Sequence, residues 1–295
     1  MKKTMIKNPF NYQGGKYKIL NDLQKLFPTE ISTFVDVFGG SGEVVLNDTT
    51  AVEKIYNEKC KEMTVLMSFL KKKKSFIKDV DTVISQFELS KTNKEGFNIL
   101  REEYNKLVAA DKQYTYIGSL YFFCLMAHSF NNQIGFNSKK EFNVAFGANK
   151  SCFNNKMRDN LSEYIYNLTN SDLTILNKSF EEILIQCDDF KDNSFFYCDP
   201  PYFITVGGYE RTKELSWNEG KERLLLLLLD NLNEKGYKFG LSNVIDHKGK
   251  SNDILKEWSK KYNVYYIDRD YSNCNYQTGK SGDASSVEVY ICNYQ

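Results

Sequence analysis

The sequence predicts an α/β fold in which a sheet of largely parallel strands is interrupted by an inserted domain. Short apolar runs that end in glycine, acidic or proline residues alternate along the chain with stretches of helical periodicity. The length of 295 residues suits two domains, or one large domain with an insertion. Hydrophobic residues make up 41% of the chain and charged residues 26%, which is typical of a globular protein with a substantial core.

Six apolar runs are predicted as strands, because each is too short for a buried helix. They cover residues 33–38, 54–56, 195–198, 238–241, 264–267 and 287–292. Helices are predicted to start at 43–47 and to cover 63–70 and 223–235. The carboxyl ends of parallel strands meet at one edge of a sheet, so we expect the polar residues that follow the first three strands to converge there.

The spacing between two strand ends predicts the insertion. Asp36 and Asp199 lie 163 positions apart (199 − 36). A strand–helix–strand unit takes about 30 residues, so three units leave a surplus of about 70. The inserted domain is therefore expected at about 75–160, with helices at 97–108 and 117–127 followed by an aromatic, loop-like stretch.

A glycine cluster, DVFGGSG at 36–42, follows the first strand, where glycines let the backbone approach a ligand closely. A dinucleotide fingerprint begun at Gly40 would need a third glycine where Val45 stands, so nicotinamide binding is disfavoured. The cluster alone leaves a ligand site and a plain turn equally open. Glu58 ends the second strand about 20 residues later, where a carboxylate can accept hydrogen bonds from ribose hydroxyls; a solvated loop acid is the alternative.

The tetrapeptide Asp199-Pro200-Pro201-Tyr202 follows the apolar run FFYC and carries the strongest signal. Two consecutive prolines stiffen the loop, and stiffness suits catalysis by positioning. Asp199 and the Pro200 carbonyl can each accept one hydrogen of an exocyclic amine, which directs the nitrogen lone pair towards a methyl donor. Tyr202 offers a flat face on which an extruded base can stack. The alternative is a rigid loop without chemistry.

Four segments, in this order, resemble the Dam-like alpha group of N6-adenine-specific DNA methyltransferases. They are NPFNYQGGK at 8–16, DVFGGSG at 36–42, EFNVAFG at 141–147 and DPPY at 199–202, and the late GLSN and VEVYICNY are similar to that group's closing strands. The resemblance implies a Rossmann-like methyltransferase sheet with an inserted, mainly helical target-recognition domain. The catalytic domain would cover 1–70 and 165–295, and the recognition domain 71–164.

The resemblance also implies site residues, carried over position by position. The catalytic set would be Asp199, Pro200, Pro201 and Tyr202. Residues that bind S-adenosylmethionine would be Tyr12, Gly14, Lys16, Asp36, Phe38, Gly39, Gly40, Ser41, Gly42, Glu58, Phe180 and Asp199. Transfer would be direct after base flipping, and the chain lacks the Pro-Cys dipeptide expected of cytosine-C5 enzymes. No metal is expected, because none of the seven cysteines forms a C-x-x-C pair.

The expected partner is double-stranded DNA, although a net charge of +1 requires any DNA-binding face to be a local patch. The residues expected to contact DNA are Phe130, Asn131, Asn132, Gln133, Asn137, Lys139 and Lys140. Lysines suit phosphates, while Asn and Gln can read adenine. Gly135 stands where relatives that read GATC carry an arginine, so the resemblance does not imply GATC.

Two other functions stay open at this point: an RNA methyltransferase that acts on an exocyclic amine, and a catalytically silent DNA-binding module. The sequence does not decide whether a cognate restriction endonuclease is a partner. The free thiols and the lack of a long apolar run predict a cytoplasmic protein without a membrane segment. A monomer or weak dimer is expected.

Overall fold

The computed structural model describes residues 5–10, 14–48, 50–205, 217–267 and 286–295. Within these ranges the helices are α1 (Leu20–Gln24), α2 (Glu43–Asn47), α3 (Lys61–Lys72), α4 (Phe76–Gln86), α5 (Lys94–Ala109), α6 (Tyr116–His128), α7 (Asn155–Asn170), α8 (Phe180–Ile185), α9 (Glu219–Glu234) and α10 (Asp253–Ser259). The strands are β1 (Thr33–Asp36), β2 (Glu53–Asn57), β3 (Leu173–Leu176), β4 (Ser194–Cys198), β5 (Lys238–His247), β6 (Lys250–Ser251), β7 (Asn263–Ile267) and β8 (Ser286–Cys292).

The described strands form one mixed sheet in the order β3-β2-β1-β4-β5-β8-β7, with the short β6 beside β5. β1, β4 and β5 run parallel, whereas β8 is antiparallel to both β5 and β7. All residues of β1 and β4 are buried, as expected for parallel strands covered on both faces. The predicted α/β class with a Rossmann-like sheet is confirmed.

Contacts between residues divide the chain into two compact units. The first contains Met1–Tyr17, Gly39–Asn47 and Tyr56–Asn177, and the second contains Lys18–Phe38, Asp48–Ile55 and Lys178–Gln295. The predicted limits of the recognition domain, 71–164, stay a prediction.

The first unit is mainly helical. The helices expected at 97–108 and 117–127 are present as α5 and α6, and the side chains of Asn93 and Thr115 accept a hydrogen bond from the backbone at their amino ends. Their buried faces are aromatic, with Tyr104 near Phe122 and Phe142. This unit therefore has a core of its own.

Some elements were not predicted from the sequence. β3 is a strand of only four residues, one of them buried, and α7 buries only Leu161, Tyr164 and Leu168 of its 16 residues. β1 ends at Asp36, two residues earlier than expected, although Val37 still donates to the Tyr197 carbonyl. Across the described residues, we find no helix with the length and apolar character needed to span a membrane.

Candidate functional site

Two motifs leave the sheet side by side in the second unit. β1 ends at Asp36 and β4 at Cys198, and Asp36 lies in register with Tyr197 in this parallel pair. The glycine cluster and the catalytic tetrapeptide therefore start at the same edge of the sheet, where α/β proteins bind ligands. The expected convergence of the first and third strand ends is present.

In the catalytic loop, Tyr202 turns its hydroxyl towards Asp199. The Tyr202 hydroxyl donates to Asp199 Oδ1 at 2.9 Å. Burial, followed by the negative charges of Asp199 and Glu288, raises the pKa of Tyr202 far above its ordinary value. The phenol therefore stays protonated and is a hydrogen-bond donor at neutral pH. The loop fixes the Asp199 carboxylate at the end of β4, while Pro201 lies exposed.

Glu288 is a second carboxylate at this loop, and it was not predicted from the sequence. It lies on β8, is 1% exposed, and its Oε1 is 3.3 Å from the Tyr202 hydroxyl. A strand residue 86 positions away gives no local signal of this contact. The closing strand therefore contributes a side chain to the catalytic loop.

Three aromatic side chains of the second unit form what we call the aromatic cluster: Phe38, Phe180 and Trp217. The rings of Phe38 and Phe180 are stacked with centroids 5.5 Å apart, and the Trp217 ring lies 5.7 Å from Phe38 and 5.3 Å from Phe180. Phe180 opens α8, whose amino end carries a capping box formed by Ser179 and Glu182. Phe38 and Phe180 were expected at a cofactor site, whereas Trp217 was missed.

A buried carboxylate holds Trp217 in place. The Trp217 indole donates to Glu222 Oε2 at 2.7 Å, and Glu222 is fully buried at the start of α9. Asn243 and Asn252 donate to Glu222 Oε1 at 3.1 and 2.8 Å. Because three neutral donors satisfy this carboxylate, it fixes the indole relative to β5 and α10.

In the first unit, Glu58 holds the glycine loop. The Gly40 amide donates to Glu58 Oε2 at 2.8 Å, and the Cys60 amide donates to Oε1 at 2.7 Å. Burial raises the pKa of the Glu58 carboxyl, although these amide bonds oppose the shift. The expected juxtaposition of Glu58 and the glycine cluster is therefore present. A carboxylate oxygen can accept a second hydrogen bond, so this role is compatible with ribose binding.

Two tyrosines pack against the glycine loop of the first unit. Tyr56 donates to the Gly40 carbonyl, and Tyr164 donates to the Ser41 carbonyl, both at 2.6 Å. A Cβ on Gly39 would lie 2.4 Å from the Tyr56 ring, and one on Gly42 would lie 2.7 Å from the Tyr164 hydroxyl. These glycines are therefore required by the close approach of protein side chains.

The amino-terminal motif is anchored by Glu43, which the sequence analysis did not select. Glu43 is buried in α2 and accepts hydrogen bonds from Asn8 Nδ2 at 2.7 Å and from the Tyr17 amide at 2.9 Å. Burial raises the pKa of its carboxyl. Within this motif the Lys16 ammonium is buried and donates to the Gly14 carbonyl at 3.1 Å. The predicted cofactor residue Tyr12 lies outside the described residues.

The first part of the expected DNA-contacting segment follows α6. Phe130 is 49% exposed, and Asn131 and Asn132 both have a φ of 53°. Asn tolerates this left-handed conformation better than most residues, and such strain is common at functional loops. Asn132 Nδ2 donates to the Ala127 carbonyl, and Ser129 donates to the carbonyl of Gln133, which shapes the turn.

The second part is a tight turn organised by Asn137. Its Oδ1 accepts from the amides of Lys139 and Glu141 at 2.9 and 3.0 Å, and its Nδ2 donates to Glu141 Oε2 at 2.6 Å. Lys140, with a φ of 63°, and Lys139 are exposed at the tip. Asn137 thus shapes the loop, while the two lysines present their charges to solvent.

Within the described part of the chain, no group of three or more His, Cys, Asp or Glu side chains is arranged to hold a metal ion. The described cysteines are free thiols. Burial raises the pKa of Cys198 far above its ordinary value, so this thiol beside the catalytic loop is not a thiolate nucleophile at neutral pH.

Comparison with known proteins agrees with these motifs. The sequence model of the D12 class N6 adenine-specific DNA methyltransferases matches residues 12–273. The modification methylase StsI of Streptococcus sanguinis is 37% identical over 299 aligned residues, which cover 99% of this chain and 44% of that protein. The type II methyltransferase M.FokI of Planomicrobium okeanokoites is 37% identical over 295 residues, which cover 99% of this chain and 43% of that protein.

The DNA adenine methylase of Haemophilus influenzae is 25% identical over 210 residues, which cover 68% of this chain and 66% of that protein. The chain spans less than half the length of the StsI and M.FokI methylases. The family match, in contrast, covers most of the chain and includes both the glycine loop and the catalytic tetrapeptide. The chain belongs to the D12 class of N6 adenine-specific DNA methyltransferases.

Proposed function

We propose that this chain transfers a methyl group from S-adenosylmethionine to the N6 amino group of adenine in double-stranded DNA. The observation that carries the proposal is the Asp199 carboxylate, held at the end of β4 beside the protonated Tyr202 hydroxyl. This arrangement offers a hydrogen-bond acceptor to an exocyclic amine and an aromatic ring to the base that carries it. Membership of the D12 class supports the choice of adenine and DNA.

The residues present suit S-adenosylmethionine by their chemistry. The aromatic cluster supplies flat faces for a purine, and each Glu58 oxygen keeps acceptor capacity for ribose hydroxyls. The remaining proposed contacts are Tyr12, Gly14, Lys16, Asp36, Asp199 and the loop 38–42. When bound, the cofactor supplies an electrophilic methyl group on a sulfonium.

The proposed role of Asp199 is to orient the adenine amine. Its carboxylate accepts one N6–H and the Pro200 carbonyl accepts the other, so the N6 lone pair points away from both acceptors. Transfer to N6 would break the bond between the methyl carbon and the sulfonium sulfur, leave that electron pair on sulfur, and release one N6 proton, which the Asp199 carboxylate would accept. Tyr202 stacks on the base after the base leaves the duplex.

The proposed DNA surface comprises the seven residues expected from the sequence. Lys139 and Lys140 are exposed at one loop tip and would contact phosphates. Phe130 is exposed on the neighbouring turn and presents an aromatic ring to the duplex. Asn132 and Asn137 would act mainly through the shape of these turns, since their side chains bond within them. The domain limits of 71–164 belong to this proposal.

Two relatives are named as a modification methylase and a type II methyltransferase. We propose that this chain is likewise a modification methylase, and that it functions together with a restriction endonuclease in a restriction–modification system. Expression from a plasmid followed by long-read sequencing would show N6-methyladenine at one sequence motif. Methylation without a preferred motif would contradict a modification role.

The reaction itself is tested with labelled S-adenosylmethionine and purified acceptors. We expect label in duplex DNA and none in structured RNA, and Asp199→Ala should abolish transfer in a folded protein. Asp192→Ala, which changes an exposed aspartate just before β4, is the matched control and should keep full activity. An active, folded Asp199→Ala variant would falsify the mechanism. Stronger labelling of RNA than of duplex DNA would contradict the proposal that DNA is the substrate.

A further inference from the structure

The Tyr202 hydroxyl lies near two carboxylates. Asp199 Oδ1 is 2.9 Å away and Glu288 Oε1 is 3.3 Å away, a difference of 0.4 Å (3.3 − 2.9). Glu288 is 1% exposed and lies on β8, opposite Val244 of β5 and Ile267 of β7. A deeply buried carboxylate needs hydrogen-bond partners, and the Tyr202 hydroxyl lies within reach as one of them.

A phenol has a single hydrogen to donate, and this hydrogen rotates about the C–O bond to suit its acceptor. Tyr202 can therefore make one strong bond at a time, to Asp199 or to Glu288. Burial and the two neighbouring charges keep the phenol protonated, so it donates in either arrangement. The two distances favour Asp199 when no substrate is bound.

The bond to Asp199 competes with the proposed reaction. An adenine amine that approaches Asp199 must share the carboxylate with the Tyr202 hydroxyl. A carboxylate oxygen can accept two hydrogen bonds, but the hydroxyl occupies one acceptor direction of Oδ1 and weakens its attraction for the amine. Leaving this partly buried hydroxyl without an acceptor would be unfavourable. A second acceptor within 3.3 Å removes this penalty, because the hydroxyl can turn towards Glu288 without displacement of the ring.

We propose that Glu288 is a positioning residue that accepts the Tyr202 hydroxyl when the adenine amine binds Asp199, and so frees the Asp199 carboxylate for the reaction. This inference rests on the proposed adenine-N6 methyl transfer. It assigns a mechanistic role to a residue of the closing strand. A purely structural Glu288 would stabilise β8 but would have no specific dependence on the Tyr202 hydroxyl.

The test compares Glu288→Ala and Glu288→Gln with wild type in single-turnover and steady-state assays. The acceptor is unmethylated DNA that carries the motif modified by the wild-type enzyme. Glu288→Ala should lower kcat about 10-fold or more, the scale of one hydrogen bond to a charged group, with KM for DNA and cofactor within about twofold. Glu288→Gln keeps an acceptor oxygen and should retain most of the activity.

The decisive comparison uses the Tyr202→Phe background, because this substitution removes the hydroxyl whose hydrogen bond Glu288 accepts. In this background Glu288→Ala should cause no further loss of kcat, since there is no hydroxyl left to redirect. If Glu288→Ala does not fold, Glu288→Asp is used, because it keeps the charge but withdraws the carboxylate from Tyr202. Glu288→Asp should lower kcat when Tyr202 is present. It should cause no further loss of kcat in the Tyr202→Phe background.

Three results would overturn the inference. They are a kcat of Glu288→Ala or Glu288→Asp within twofold of wild type, a loss that is equally large in the Tyr202→Phe background, and a Glu288→Gln variant as slow as the alanine variant. Absence of methyl transfer by the wild-type chain is a different outcome. It refutes the proposed function before any variant is compared.

Discussion

Replacement of Gly39 by alanine tests whether the glycine loop is fixed by protein packing. A Cβ at this position would lie 2.4 Å from two carbons of the Tyr56 ring, far inside van der Waals contact. The ring is fully buried and its hydroxyl bonds the Gly40 carbonyl at 2.6 Å, so it cannot move aside freely. The added methyl group must displace the ring or the loop.

The size of the effect follows from two contributions. Overpacking of a filled core costs about 1–3 kcal/mol. Loss of the hydrogen bond between Tyr56 and Gly40 adds about 1 kcal/mol. We therefore expect Gly39→Ala to lower the free energy of unfolding by about 2–4 kcal/mol. Affinity for S-adenosylhomocysteine should fall as well, because the displaced loop includes Gly40, which Glu58 holds.

The assay is urea unfolding followed by circular dichroism, with calorimetry for the ligand. Gly220→Ala is the matched control, because a Cβ there meets only Asn218 Oδ1 at 3.3 Å and the position lies in the first turn of α9. This variant should be neutral or slightly more stable, since alanine favours a helix over glycine. An unchanged unfolding midpoint for Gly39→Ala would refute the packing argument.

Three further predictions concern the cofactor and DNA surfaces. In a Trp258→Phe protein, Trp217 is the remaining tryptophan, and its fluorescence emission should change when S-adenosylhomocysteine binds. The same ligand should leave the emission of a Trp217→Phe protein unchanged. The opposite pattern would show that Trp217 is not at the cofactor site. Burial raises the pKa of Glu58, so wild-type affinity for this ligand should start to fall, as pH is lowered, above the ordinary glutamate value of 4.5; calorimetry should show a flatter profile for Glu58→Gln, and identical profiles would refute a ribose contact. Lys139→Ala and Lys140→Ala should each reduce the slope of log affinity for DNA against log salt by about 0.9, measured by fluorescence anisotropy, whereas an unchanged slope would place the lysine away from phosphate.

The parts of the site that could be predicted from sequence are those in which a strand is followed directly in the chain by its functional loop. The runs before Asp36 and Asp199 are apolar and end in residues with special backbone chemistry, so both the strand and the loop could be recognised. The structure adds their register, in which Asp36 pairs with Tyr197 in a parallel ladder. The position of Glu58 beside the glycine loop was likewise expected from the order of the strand ends.

The parts that could not be predicted depend on tertiary contacts. Glu43, Trp217 and Glu288 look like ordinary helix, loop and strand residues in the sequence, and their partners lie 35, 5 and 86 positions away. Trp217 is close to Glu222 in sequence, but only the burial of that carboxylate makes the contact significant. Asn137 shows the reverse case, because a residue type suited to base reading serves a turn.

The contacts of Tyr202 link the catalytic loop after β4 to Glu288 of β8. A rigid loop can hold the Asp199 carboxylate in place, but it cannot by itself provide an alternative acceptor for the hydroxyl that lies 2.9 Å from it. β8 is antiparallel to β5 and starts at the edge of the sheet where β4 ends, so Glu288, its third residue, lies near that edge. The antiparallel direction of this strand therefore places an acid from outside the motif beside the Tyr202 hydroxyl. In the proposed mechanism this acid accepts the hydroxyl while Asp199 binds the adenine amine.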